Sequence, residues 1–87
     1  MSRRLAWDRR ALADLGALSS RDQRLARRIV AAIERYAEGD LGDVRKLTGS
    51  ADEYRLRIGD WRVVFRLEDS GRLMAISRVL NRRDAYR

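Results

Sequence analysis

Apolar residues recur along this chain at two different periods, and the change of period divides it into two parts. Arg4-Leu5-Ala6-Trp7 alternates and predicts a short first strand. Asp8 is placed to cap a following helix in which Ala11, Leu12, Leu15 and Leu18 fall on one face. Ser20-Arg21-Asp22-Gln23 has the form of a capping box. It opens a longer helix with Leu25, Ala26, Ile29, Val30, Ile33, Tyr36 and Ala37 as its apolar stripe, and Gly39 is the expected stop. Two adjacent amphipathic helices joined by a tight turn predict an antiparallel helical hairpin.

Beyond Gly39 the period falls from 3.6 to 2. Tyr54-Arg55-Leu56-Arg57-Ile58 alternates, Gly59-Asp60 is a turn, and Trp61 through Leu67 alternates again. Asp69-Ser70-Gly71 forms a second turn, and Leu73 through Leu80 a last strand. The expected class is α+β, with the order β-α-α-β-β-β and the helical hairpin packed on one face of a small antiparallel sheet. A chain of 87 residues supports one modest core, so residues 1–87 are read as a single domain. No repeat, linker or low-complexity segment interrupts it.

The alternation separates two sets of side chains. Tyr54, Leu56 and Ile58 face one way, with Trp61, Val63, Phe65 and Leu67, while Arg55, Arg57, Arg62 and Arg66 face the other. Arginine is common on a solvated sheet face, and that is the plain explanation. Against it, like charges on adjacent strands repel, so the clustering costs stability unless an anion uses it. The tail adds Arg78, Arg82, Arg83 and Arg87 around Asn81, Asp84 and Tyr86. An aromatic hydroxyl among arginines suits base stacking or proton transfer.

Charge strengthens this reading. The net charge is +7, and most of it lies in the second half: residues 44–87 carry eleven Lys and Arg against six acids. Lys46 is the one lysine; the other nineteen cations are arginine. Guanidinium forks match phosphate oxygens, so a polyanion is the expected partner. Lys46, Arg66, Arg78 and Arg83 are the candidate RNA or phosphate contacts. The absence of Cys rules out disulfides and thiol chemistry, and the absence of His leaves only carboxylates for a metal. No ligand cluster of that kind is seen, so neither a metal nor another cofactor is expected. No apolar run suits a signal peptide or a membrane span, which points to the cytoplasm and away from a membrane partner.

Three segments carry a family resemblance. Lys46-Leu47-x-Gly49, the run Tyr54-Arg55-Leu56-Arg57-Ile58-Gly59-Asp60-Trp61-Arg62-Val63-Val64-Phe65, and Arg78-Val79-Leu80-Asn81-Arg82-Arg83-Asp84-Ala85-Tyr86 together resemble the RelE/ParE toxin superfamily. The resemblance implies the toxin of a type II toxin–antitoxin system with a microbial-RNase-like fold. On the RelE side it implies metal-independent cleavage of mRNA in the ribosomal A site. The implied catalytic positions are then Arg55, Arg57, Arg62, Arg82 and Tyr86. The implied partners are mRNA, the ribosome and a cognate antitoxin, with which the toxin forms a hetero-oligomer. The alternative implied by the same superfamily is a ParE-type DNA gyrase inhibitor with no nuclease activity.

Cleavage by transesterification needs the 2′-hydroxyl deprotonated, the phosphorane charge stabilised and the 5′-oxygen protonated. Arginine supplies the second function and is a poor base. Well-studied relatives often carry lysine at the first two positions, where this chain has Arg55 and Arg57, and many have His where it has Asn81. Tyr86 is the expected proton-transfer group, with Glu53, Asp60 and Asp84 as the nearby carboxylates.

Overall fold

The longest amphipathic segment, whose stripe has to be buried, sets the layers. In the computed structural model, which describes residues 2–47, 49 and 52–85, it becomes helix α2 (Gln23–Gly39), preceded by β1 (Arg4–Trp7) and α1 (Arg9–Arg21). Strands β2 (Asp43–Lys46), β3 (Glu53–Ile58), β4 (Trp61–Glu68) and β5 (Leu73–Asn81) follow, and α3 (Arg82–Ala85) ends the described chain. All five strands form one sheet in the order β1-β5-β4-β3-β2. The expected α+β architecture forms, with two additions. β2 and α3 join it, and β1 pairs with β5 in parallel, Trp7 opposite Ile76, so the sheet is mixed and not wholly antiparallel. A parallel partner requires a crossover, which the intervening helices and strands provide.

α2 buries Ala26, Ile29, Ala32, Ile33, Tyr36 and Ala37, at the three- and four-residue spacing of one helix face. They meet Leu56 from β3, Val63 and Phe65 from β4, and Met74, Ile76 and Val79 from β5. Tyr36 and Tyr54 flank the Phe65 ring at centroid distances of 5.4 and 5.6 Å. Burial raises the pKa of the Tyr36 phenol, with the Arg3 guanidinium opposing that shift. Arg3 also donates to the carbonyls of Gly71 and Tyr36 and pairs with Asp40, so it ties the end of α2 to the β4–β5 turn.

The helix ends depart from expectation in three places. Ser20 lies inside α1 and donates back to the Gly16 carbonyl; the cap of α2 is Asp22, whose carboxylate accepts from the Leu25 N–H at 3.1 Å. α2 includes Gly39, and the left-handed stop is Asp40 at φ 59°, a conformation that aspartate tolerates better than most residues. Asp8 ends β1 in extended conformation and makes no side-chain cap. Its N–H continues the sheet by donating to the Ile76 carbonyl. Leu12, expected on the buried face, is 53% exposed, because α1 turns only Ala11 and Leu18 fully inward.

A register shift between Val64 and Phe65 rephases β5: Val64 faces Arg78, but Phe65 faces Ile76. Ser77 is therefore the extra residue of a bulge, and the inward set changes from Met74 and Ile76 to Val79. β1 has already ended here, which leaves the edge of β5 open. Asp14 of α1 closes it. Its carboxylate accepts from the Val79 N–H at 2.9 Å and from Arg78 Nε and Nη2 at 2.8 and 3.1 Å. Asp14→Ala removes all three bonds and leaves a half-buried guanidinium and a strand N–H without that acceptor. It should lower unfolding free energy by about 1–3 kcal/mol. Urea denaturation of the two proteins measures this, and an unchanged midpoint would show that Asp14 does not hold the edge.

Candidate functional site

On the sheet face opposite Val63 and Phe65, Asp43, Arg45, Arg55, Arg57 and Arg62 line one small cavity of about 180 Å³. Strand register assembles it. Asp43 pairs with Arg57 and Arg57 with Arg62, while Arg45 pairs with Arg55. Directly opposed residues on antiparallel strands share a face, so these pairs form two rows across β2, β3 and β4. Three of the four arginines were expected from the alternation, and the structure brings them together. Arg45 and Asp43 were not foreseen, because Asp43-Val44-Arg45-Lys46 carries a single apolar residue and shows no alternation to read.

The turn between β3 and β4 organises the cluster. Gly59 adopts φ 59°, which costs glycine no Cβ clash. Its carbonyl accepts from Arg57 Nε and from Arg62 Nη1, each at 3.3 Å. Arg62 Nη1 also reaches the Trp61 carbonyl at 3.2 Å. One peptide oxygen thus holds two guanidinium groups that would otherwise repel. Arg62 is only 5% exposed, which corrects its reading as a solvent-facing side chain. Arg55 is half-buried, in line with the cavity, and has no hydrogen bond or ion pair among the described residues. Its donors are free for an anion. Asp43 and Arg45 approach only to 3.9 Å with both side chains largely exposed, a weak pairing.

The tail starts beside the same turn. The Arg82 N–H donates to the Asp60 carbonyl at 2.7 Å, and the Asn81 side chain accepts from the Arg83 N–H at 3.2 Å. Asn81 therefore braces the start of α3, and both Arg82 and Arg83 are exposed. Arg83 lines a separate hollow with Arg21, Asp60 and Asn81. Tyr86 lies outside the described residues, as does the side chain of Asp84.

The other expected contacts lie elsewhere. Arg78 is engaged by Asp14 at the sheet edge. Arg66 pairs with Glu68 at 3.3 Å and lines a different hollow with Asp52 and Tyr54. Lys46 is exposed and sits opposite Tyr54, on the other face of the sheet from Arg45 and Arg55. Of the carboxylates considered from sequence, Glu53 faces Arg66 in the register and Asp60 contributes its backbone carbonyl to Arg82. Among the described residues, the carboxylate that reaches the arginine cavity is Asp43. Among the described residues no group of three or more His, Cys, Asp or Glu is placed to hold a metal ion. The cavity's donors suit an oxyanion about the size of a phosphate group.

The site lies on a fold shared with known toxins. A chain of the archaeal RelE–RelB complex from Pyrococcus horikoshii OT3 is 24% identical, with 94% of this chain and 97% of that chain covered and a TM-score of 0.75. The YoeB/ParE toxin from Agrobacterium tumefaciens is 22% identical over 90% of this chain and 96% of that one, with a TM-score of 0.77. The RelBE2 toxin–antitoxin complex from Mycobacterium tuberculosis has a chain 26% identical, covering 94% of this chain and 100% of its own length, with a TM-score of 0.62. No curated protein sequence matches. Residues 5–86 match the family model described as the ParE toxin of the type II toxin–antitoxin system, parDE. Nearly the whole chain is covered by that match, and it belongs to this toxin family of the RelE/ParE superfamily.

Proposed function

We propose that this toxin is a metal-independent, ribosome-dependent mRNA endonuclease acting in the cytoplasm. The observation that carries the reading is the arginine cavity, with Arg55, unpaired among the described residues, beside the pinned pair Arg57 and Arg62. A scissile phosphate seated there would accept from Arg55 and Arg57. Arg62, nearly buried, would fix the position of Arg57 through their shared carbonyl and add charge from below. Preorganised donors of this kind stabilise a phosphorane without rearranging during the reaction. Arg82, whose backbone N–H is held by the Asp60 carbonyl beside the same turn, and Tyr86 are the further groups that the family resemblance assigns to the RNA. Arg66 and Arg83 are then peripheral contacts to the nucleic acid, Lys46 faces away from it on the other side of the sheet, and Arg78 contributes through its ion pair with Asp14.

The test is single-turnover cleavage on programmed ribosomes with the cut mapped by primer extension, run beside a gyrase supercoiling assay. Cleavage by the wild type with supercoiling unaffected is the expected result. Inhibited supercoiling with intact message would assign the chain to gyrase instead.

Two substitutions separate binding from scaffolding. Arg55→Ala removes a side chain without described partners, so stability should change by no more than about 0.5 kcal/mol while toxicity on induction falls sharply. Arg62→Ala removes a nearly buried side chain that holds the β3–β4 turn, and should cost about 1–3 kcal/mol as well as toxicity. Thermal melts and growth curves of both variants check this. A folded Arg55→Ala protein as toxic as the wild type would count against the site.

Tyr86 is tested by the pair Tyr86→Phe and Tyr86→Ala. If the hydroxyl moves a proton, Tyr86→Phe should slow cleavage about ten-fold to a thousand-fold. If the ring only stacks on a base, Tyr86→Phe should be nearly silent and Tyr86→Ala should lose roughly 1–3 kcal/mol. Wild-type rates from both variants would remove Tyr86 from the reaction.

A toxin that cuts its host's messages has to be silenced, and the solved complexes of similar fold pair RelE with RelB and YoeB with YefM. The partner proposed here is a cognate antitoxin whose acidic residues cover the arginine face, giving a hetero-oligomer. With a net charge of +7, association should be steered electrostatically and should slow as salt is added. Stopped-flow association rates across a salt series measure it; a flat series would mean that the antitoxin does not read charge.

A further inference from the structure

The proposed cleavage needs a group to take the proton of the 2′-hydroxyl, and a guanidinium cannot do so. Of the five described side chains that line the cavity, four are arginines and the fifth is Asp43. It opens β2 opposite Arg57, which in turn faces Arg62, so it ends a row that runs from the sheet edge to the pinned pair. Its carboxylate is 54% exposed, accepts no hydrogen bond among the described residues, and has one distant ion pair, to Arg45 at 3.9 Å. The oxygens are therefore open to a ligand in the cavity.

The backbone places this residue firmly. At the preceding position, Gly42 has φ 146°, and a Cβ there would lie 2.8 Å from Leu56 Cδ1, whose side chain is 1% exposed. The chain thus presses on the core immediately before it presents Asp43. A carboxylate in a phosphate site repels the phosphate, and a pocket built only to bind would gain from a neutral residue here. The exposed pairing with Arg45 is too weak to account for it.

We infer that Asp43 is the general base of the cleavage. This rests on the endonuclease reading above. The 2′-hydroxyl proton passes to an Oδ of Asp43 as the 2′-oxygen bonds to phosphorus. The bond from phosphorus to the 5′-oxygen breaks, the 5′-oxygen takes a proton from water, and the hydroxide so formed takes the proton held by Asp43, which restores the carboxylate. The products are a 2′,3′-cyclic phosphate and a 5′-hydroxyl, with no change of oxidation state. Arg55 and Arg57 hold the non-bridging oxygens, and among the described residues Arg45, Arg55, Arg57 and Arg62 are the charged groups that surround the carboxylate on β2, β3 and β4.

The experiment compares wild type, Asp43→Asn and Asp43→Glu on programmed ribosomes, with folding checked by thermal melts. Cleavage of an all-ribose message is measured under single-turnover conditions. Binding is measured on a message carrying a 2′-deoxy sugar at the scissile position, which cannot react. Asp43→Asn should cleave about 10²- to 10⁴-fold more slowly while binding the deoxy message as tightly or more tightly, since a repulsive charge is gone. Asp43→Glu, which keeps the carboxylate, should recover part of the rate. Asp43→Asn cleaving at the wild-type rate would overturn the inference and leave the endonuclease reading intact. Equal losses of binding and cleavage would also overturn it, by making Asp43 a structural residue. A wild type that cuts no message refutes the endonuclease reading itself, and the base with it.

Discussion

The carbonyl oxygen of Gly59 is the contact on which the arginine cavity depends. The β3–β4 register sets Arg57 directly against Arg62, and two cations at cross-strand distance repel. A peptide oxygen turned toward both guanidinium groups changes the balance, because each then donates to an acceptor that the strand ladder does not use. The left-handed conformation of Gly59 aims that oxygen. The same turn receives the tail, through the bond from the Arg82 N–H to the Asp60 carbonyl. One two-residue connection therefore positions two arginines of the cavity and the start of the segment that leads to Tyr86.

A cluster so charged needs a stiff support, and the other side of the sheet provides it. Phe65 is completely buried between two tyrosines, and the residues that flank it on β4 in the inward set are Val63 and the half-buried Leu67. Burial of those side chains fixes the pleat, and the pleat fixes which residues point outward. A one-residue slip between β3 and β4 would exchange the buried set with the arginines. Hydrophobic packing under the sheet thus specifies the geometry of the charges above it.

Arginines in this chain have different roles, and sequence does not distinguish them. Arg3 braces the end of α2 against a turn, Arg78 completes the Asp14 clamp, and Arg66 has its own acid in Glu68. Arg55, half-buried at the cavity, has no such engagement among the described residues, and its donors are open to a ligand. An excess of positive charge indicates a polyanion partner. The local partner of each guanidinium decides which of them that polyanion can reach.

The sequence by itself determined the class of fold, the two helices, the three long strands and the outward set Arg55, Arg57 and Arg62. Each of these follows from hydrophobic period, which is a local property of the chain. It also carried the family resemblance, since the motifs lie within continuous segments. Only the tertiary structure decided that β2 exists, because four residues gain strand geometry from β3 and not from their own pattern. With β2 came Asp43 and Arg45, brought to the cavity by pairing across a loop. The bulge at Ser77 and the capture of Arg78 by Asp14 depend on where β1 ends beside β5, residues more than sixty positions apart in the chain. The burial of Arg62 was likewise hidden, because alternation says which face a side chain takes and not whether a turn carbonyl waits there to hold it.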